Sequence, residues 1–180
     1  MNIDFTPKIK FILVLTGIAA IARLLPHEYN FTPIGAIALF AGTYITNKRL
    51  AFLLPLTILL VSDVLLELIN GNGFYRDMGF VYGSFALVVA LGFLLREKVQ
   101  LHTIIGASLI SSFVFFLFSN FGTWLMYDIY PKTSAGLLSC YIAGIPFLKN
   151  GTIIGDLIYN LSFFSAFALV KWRFPVFAKS

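Results

Sequence analysis

Charged residues are scarce in this chain of 180 residues: Asp, Glu, Lys and Arg together make up 12% of it, whereas an ordinary soluble domain contains roughly a quarter. Hydrophobic residues make up 59%, which is more apolar surface than a soluble fold can hide. They fall in runs of about 15 to 21 residues, too long for the strands of a membrane barrel. Because a helix satisfies its own backbone in lipid, the composition predicts an all-α integral membrane protein.

Groups that bind metals or phosphate are also scarce. Cys140 is the only cysteine, which excludes an internal disulfide, and the two histidines, His27 and His102, are predicted to lie on opposite sides of the membrane. We therefore expect no metal site and no cofactor. The sequence also lacks a phosphate-binding glycine loop, so the chain is not expected to hydrolyse ATP itself.

Two further function classes are not expected. Asp63 and Glu67 could form an acid–base pair, but no nucleophile or metal motif accompanies them, so the chain is not predicted to be an enzyme. The formal net charge is +5, yet the basic residues flank the apolar runs and form no block of five or six. A nucleic-acid partner is therefore not predicted.

The apolar runs predict six transmembrane helices in one bundle, and thus a single transmembrane domain over residues 1–180. The predicted spans are Ile9 to Leu25, Phe31 to Ile45, Leu50 to Ile69, Gly79 to Leu95, Leu101 to Phe121, and Thr152 to Val170. A further apolar patch, Ala135 to Leu148, contains glycine and proline, and we predict a re-entrant or interfacial helix there, before the last span. Seven spans is the alternative. The first segment also imitates a secretory signal, but we interpret it as a span.

The basic residues predict the orientation. Six spans place both termini and the second and fourth loops on one side, together with Lys8, Lys10, Lys48, Arg49, Arg96, Lys98, Lys171, Arg173 and Lys179. These are nine of the 13 basic residues, so the positive-inside rule places this side in the cytoplasm. The lipid bilayer is then the first partner. We expect a multi-pass protein of the inner (cytoplasmic) membrane with both termini cytoplasmic.

Polar groups converge in the predicted outer half of this bundle. Asp63, Glu67 and Asp156 fall within spans, where a carboxylate costs several kcal/mol unless it is paired, protonated or wet. Few polar groups fall in the inner half, so the pattern predicts an outer, possibly wet pocket. The structural alternative is an ion pair of Arg23 with Asp63 or Asp156 and a helix–helix hydrogen bond from Asn160. The predicted substrate-binding residues are Arg23, His27, Asp63, Glu67, Asn120, Trp124, Tyr127, Asp156 and Asn160.

Three segments carry a resemblance to a known family. They read RLLPHEYNFTPIGAIALFAG from Arg23 to Gly42, then SNFGTWL and YPKTSAGLLSCYIAGIPFLKN between Ser119 and Asn150. With these segments the chain resembles a bacterial family of small uncharacterised membrane proteins described as candidate transport proteins. More distantly, its six spans, its proline-led second helix and LLVSDVLLELI around Asp63 resemble the substrate-binding S component of energy-coupling factor vitamin transporters.

The second resemblance implies a partner and a substrate class. An S component binds its solute from outside and docks on a transmembrane coupling protein with cytoplasmic ATPases. Docking commonly uses an Ala-x-x-x-Ala motif in the first helix, of which Thr16 to Ala20 keeps only the second alanine. Metal-binding members begin with a histidine-bearing segment, which this chain lacks, so the resemblance implies an organic, vitamin-like solute.

The leading prediction is a solute-specificity subunit that captures such a nutrient from the outer side and relies on a partner for energy. Two alternatives remain open. A non-transporting membrane scaffold or assembly protein would use the buried charges for helix assembly alone. A stand-alone ion-coupled carrier would need alternating access, which is commonly built on internal repeats that we do not find.

Overall fold

The computed structural model describes residues 7–23 and 30–174, and these residues form helices joined by short loops. The helices are α1 (Pro7–Ala22), α2 (Ile34–Tyr44), α3 (Lys48–Asn70), α4 (Met78–Leu95), α5 (Leu101–Met126), α6 (Ser134–Phe147) and α7 (Ile154–Arg173). A π-helical turn, Leu148–Ile153, joins α6 to α7, so Ser134–Arg173 is one helical segment of 40 residues. The described residues thus form six helical segments, and each predicted span overlaps one of them, although the end of the first span, Leu25, lies outside the described residues.

Four of these segments, α3, α4, α5 and the joined α6–α7 segment, are long and apolar enough to cross a membrane. The protein is therefore an all-helical, multi-pass membrane protein. Helix α2 has 11 residues, which at 1.5 Å per residue is about half of the hydrocarbon thickness. It is apolar along its whole length, but the number of crossings remains a prediction.

The helix ends follow local chemistry. The Asn47 side chain accepts hydrogen bonds from the backbone N–H groups of Arg49 and Leu50, which caps the start of α3. At the other end of α3, Gly71 adopts a φ of 68°, the left-handed conformation that glycine tolerates best. The Thr133 hydroxyl caps α6 by accepting from the N–H of Gly136.

Helix α2 lies at the centre of the bundle, because every residue from Ile34 to Thr43 is buried. It packs against α3, α4, α5 and α7. Towards its carboxyl end, Phe40 meets the rings of Phe164 and Phe167 edge-on, with centroids 5.3 and 5.6 Å away. Tyr44 packs on the Phe167 ring at 4.4 Å. This aromatic cluster fills the half of the bundle that holds the carboxyl end of α2.

Two glycines allow α2 and α4 to approach closely. A Cβ atom added at Gly92 would stand 2.5 Å from the carbonyl oxygen of Leu39 and 2.9 Å from the Cα of Gly42. Both contacts are with backbone, which cannot rotate away. Gly83 lies on the same helix, and a Cβ there would meet nothing within 4 Å.

We therefore expect Gly92→Ala to lower the free energy of unfolding by about 1–3 kcal/mol, the usual range for overpacking. The matched control, Gly83→Ala, should cause no loss, because its methyl group enters open space. Thermal unfolding of both variants in the same detergent measures the difference. Equal melting temperatures would show that the two helices tolerate separation at Gly92.

The sequence predicted a re-entrant or interfacial helix separate from the last span, whereas α6 and α7 form one continuous helical segment. Helical structure continues from Ser134 to Arg173. A π-helical turn that contains the buried Gly151 and Thr152 lies where a break between the two helices was expected. A straight helix of 40 residues would be about 60 Å long, twice the hydrocarbon thickness. It cannot lie within the hydrocarbon as one upright crossing. The placement of α6 relative to the membrane stays a prediction.

Candidate functional site

A cavity of about 850 Å³ lies at the end of the bundle that carries the loop at residues 71–77. Its volume is within the range of sites for small organic molecules, about 300–1,000 Å³. The lining combines amides with aromatic rings. The amide side chains come from Asn30, Asn70, Asn72 and Asn120, and the rings from Tyr75, Phe85, Phe115, Phe116, Tyr130 and Phe147.

Asp77 and Arg23 bring charged groups to this lining. The carboxylate of Asp77, at the start of α4, accepts a hydrogen bond from the Thr123 hydroxyl at 2.8 Å. Tyr75 lies in the preceding loop, where burial and then the nearby Asp63 carboxylate raise its pKa. Its hydroxyl therefore stays protonated and can donate a hydrogen bond. The cavity thus offers donors, acceptors and flat apolar surfaces together.

Arg23 is held in the cavity wall by a buried network. Its guanidinium lies 2.6 Å from Oδ1 of Asp63, whose side chain is fully buried, and it also donates to the Ser62 hydroxyl. The Tyr82 hydroxyl donates to the other carboxylate oxygen, Oδ2, at 2.7 Å. Both oxygens of Asp63 are therefore occupied by protein donors. This network joins the end of α1 to α3 through the ion pair, and α3 to α4 through the Tyr82 hydrogen bond.

Asp156 lies in a different environment. It lines a second, small cavity of about 30 Å³ that adjoins the large one. Within residues 7–23 and 30–174, its carboxylate receives one hydrogen bond, from the Ser112 hydroxyl to Oδ2 at 2.7 Å. The other oxygen, Oδ1, lies against Gly35, where an added Cβ would overlap it. No basic side chain of the described residues forms an ion pair with Asp156.

Two more buried polar side chains lie on α5 and α7, the two helices that meet at Asp156. Ser111, beside Ser112 on α5, lines the small cavity, and its hydroxyl has no hydrogen-bond partner among the described residues. Asn160 is one helical turn beyond Asp156 and fully buried, and both polar atoms of its side chain likewise lack a partner in the described part of the chain. Such groups are rare in native structures and call for an explanation, such as an unseen water molecule or ion.

A family model covers nearly the whole chain. It describes a family of unknown function, DUF6580, and matches residues 3–177. The chain belongs to this family. Curated proteins and solved structures gave no match. Membership of DUF6580 thus gives the chain a family but specifies no activity.

In this DUF6580 member, the structure divides the predicted binding residues. Arg23 and Asn120 line the large cavity, and Asp156 lines the small one. Asp63 lies behind Arg23 and outside both linings. Asn160 lies one turn further along α7 than Asp156 and is also outside both linings. His27 lies outside the described residues.

Three other predicted residues bind backbone groups away from the lining. The Glu67 carboxylate accepts from the N–H groups of Gly73 and Phe74, at 2.9 and 3.1 Å. The indole of Trp124 donates to the carbonyl of Pro131 at 2.9 Å. The Tyr127 hydroxyl accepts from the N–H of Arg76 at 3.1 Å. In this structure these contacts order the loops around the cavity.

Sequence reasoning missed several residues of this DUF6580 site. Asp77 stands just before the predicted fourth span, so it was not counted among the carboxylates within the membrane. Tyr75 lies in a loop, where an aromatic residue is unremarkable. Ser111 and Ser112 carry only hydroxyl groups, which are common in membrane helices. A usable pattern was present: Ser108, Ser111 and Ser112 share one face of α5 at helical spacing, which indicates a polar seam.

Proposed function

We propose that this protein is the solute-binding subunit of a membrane transport system and that it captures a small organic, vitamin-like molecule in the large cavity. One observation carries the proposal: the 850 Å³ cavity with a mixed amide and aromatic lining is confined to one half of the bundle. The aromatic cluster around Phe40 fills the other half. A bundle open at one end and closed at the other is suited to capture rather than to free passage.

The lining favours a planar, polar solute. The rings of Phe85 and Phe115 stack on each other with centroids 5.2 Å apart and present a flat apolar wall. Asn120 and Asp77 place hydrogen-bonding groups in the same lining. In a small-molecule site, apolar and aromatic side chains commonly form most of the lining, and a few polar groups fix the orientation of the ligand.

Two parts of the proposal depend on the sequence. The charge distribution supports an outward-facing open end, because the basic residues gather at the opposite end. The lack of a phosphate-binding loop and the likeness to S components support an energising partner, a transmembrane coupling protein with cytoplasmic ATPases. The protein itself is then a binding subunit without enzymatic activity.

A membrane scaffold is the second candidate, and the Arg23–Asp63 pair favours it. Both oxygens of Asp63 are used by Arg23 and Tyr82, which is what helix assembly alone requires. The scaffold does not account for the large cavity beside this pair.

Ligand screening separates the two candidates. We expect the protein, purified in lipid nanodiscs, to show a saturable rise in melting temperature with at least one member of a panel of vitamins and small heterocycles. At a concentration one hundred times the Kd, binding stabilises the folded state by about 2.7 kcal/mol. Native mass spectrometry of the protein from its own host tests for a molecule that co-purifies. If neither measurement finds a ligand, the scaffold explains the bundle better.

A further inference from the structure

The carboxylate of Asp156 lines the small cavity, and no basic side chain of the described residues balances its negative charge. An ionised carboxylate inside a membrane bundle needs a cation, a proton or several donors. Asp156 is 5% exposed, and the described residues give it one donor, the hydroxyl of Ser112. That hydroxyl carries a single proton and also lies 3.0 Å from the carbonyl of Ser108, so the carboxylate does not have it exclusively.

Two other buried side chains close to Asp156 carry polar atoms without partners among the described residues. The Ser111 hydroxyl lines the cavity, is 1% exposed and has no hydrogen-bond partner among the described residues. Asn160, one turn along α7 from Asp156, is 0% exposed and equally unpartnered within that part of the chain, but it lies outside the lining of the small cavity. Carboxylate, hydroxyl and amide oxygens are the ligands of hard cations. The Asp156 carboxylate and the Ser111 hydroxyl meet at the small cavity from α7 and α5, whose contact the Ser112–Asp156 hydrogen bond fixes.

The size of the cavity narrows the choice of occupant. A volume of about 30 Å³ admits an ion or a water molecule but no organic solute. A proton on Asp156 would neutralise the carboxylate but would leave the void and the Ser111 oxygen as they are. A water molecule would satisfy Ser111 but would leave the charge. A single cation satisfies all three requirements, whereas a proton and a water molecule would both have to be present to do so.

The charge of the site indicates a monovalent cation. Asp156 is the single carboxylate in the lining of the small cavity, and the described residues contain no group of three or more His, Cys, Asp or Glu side chains that could hold a metal ion. One carboxylate balances one positive charge. A divalent ion would bring a second, uncompensated charge into the bundle.

We infer that Asp156 and Ser111 form a binding site for one Na⁺ ion between α5 and α7. The site adjoins the large cavity directly, because Thr32, Phe85, Phe115 and Thr152 line both. Thr152 belongs to the π-helical turn, a type of irregularity that is frequent at functional sites. The inference rests on the small cavity and its ligands and does not require the large cavity to bind a solute.

The test measures Na⁺ binding to the full chain in lipid nanodiscs with no solute added. Melting temperature is followed as NaCl replaces choline chloride at constant ionic strength, and radioactive Na⁺ binding gives the stoichiometry. We expect a saturable rise in melting temperature, one bound ion per chain, and a weaker response to KCl because the cavity is small. Equal curves in NaCl and choline chloride would overturn the site and leave water or a proton beside Asp156.

Variants locate the ion. Asp156→Asn should abolish Na⁺ binding, and Ser111→Ala should raise the Kd for Na⁺ at least about tenfold, a loss expected for one ligand. The matched controls are Asp128→Asn, whose carboxylate side chain is 94% exposed, and Ser162→Ala on the exposed face of α7. Both should bind Na⁺ like the parent chain. If Asp156→Asn fails to fold, unchanged Na⁺ affinity in Ser111→Ala still overturns the site. Loss of Na⁺ binding leaves the ligand screen for the large cavity unaffected, so the two proposals fail separately.

Discussion

Asp63→Asn is expected to lower the free energy of unfolding by about 3–5 kcal/mol, because it removes the carboxylate from a buried ion pair with the Arg23 guanidinium. The carboxylate is fully buried, lies 2.6 Å from the guanidinium and also accepts from Tyr82. Asparagine keeps the shape of the side chain but not its charge. Unfolding by heat or denaturant in a fixed detergent measures the loss, and Asp128→Asn on the surface is the control for removing a carboxylate.

A double variant shows whether the loss comes from breaking this ion pair. Arg23→Met combined with Asp63→Leu removes both charges, and replacing a buried ion pair by apolar residues is often neutral or even stabilising. We therefore expect the double variant to be more stable than Asp63→Asn alone. If Asp63→Asn keeps the parent stability but loses a solute-dependent response, Asp63 serves binding, and the structural interpretation of the pair is wrong.

The pairing of Arg23 with an acid could be anticipated, since an arginine and an aspartate at similar depth in a bundle tend to meet. Which acid it meets depends on how the helices pack, and the sequence left Asp63 and Asp156 as equal candidates. The structure places Asp63 beside Arg23 and Asp156 beside Ser112. Hydropathy gives the depth of a residue but not the rotation of its helix.

The helix positions were largely predictable for the same reason. Apolar runs mark where a helix can lie, and the fourth predicted span, Gly79 to Leu95, nearly coincides with α4. Helix α5 continues five residues beyond the predicted end, Phe121, because Trp124 and Leu125 are still apolar. The π-helical turn was not predictable, since Gly151 and Asn150 are as typical of a loop as of an irregular helix.

Glu67 shows why the members of the candidate site could be predicted only in part from the sequence. Its spacing of four residues from Asp63 places both on one helical face, which is why a shared pocket was predicted. One turn further along α3, however, the chain reverses at Gly71, and the carboxylate meets the N–H groups of Gly73 and Phe74. A turn that folds back over the end of its own helix supplies donors that spacing alone does not show.

Ala143→Trp is expected to abolish solute binding in the large cavity while the bundle stays folded. Ala143 is exposed and lines the cavity from α6, beside Gly144, which packs on the Asn120 side chain. An indole at this position occupies the space of the solute. We expect the Kd to rise at least about a hundredfold, which corresponds to about 2.7 kcal/mol. Binding is measured with the ligand from the screen by thermal shift and by equilibrium binding.

The control is the same substitution two helical turns earlier on the same helix. Ala135 is exposed and lies outside the cavity lining, so Ala135→Trp should retain the parent Kd. Both variants should unfold within about 0.5 kcal/mol of the parent chain, since exposed positions tolerate substitution. A ligand that still binds Ala143→Trp with parent affinity does not occupy the large cavity, because the indole and the solute cannot share it. The division of the bundle into an open, polar half and a closed, aromatic half would then describe how the helices pack and not where the solute is held.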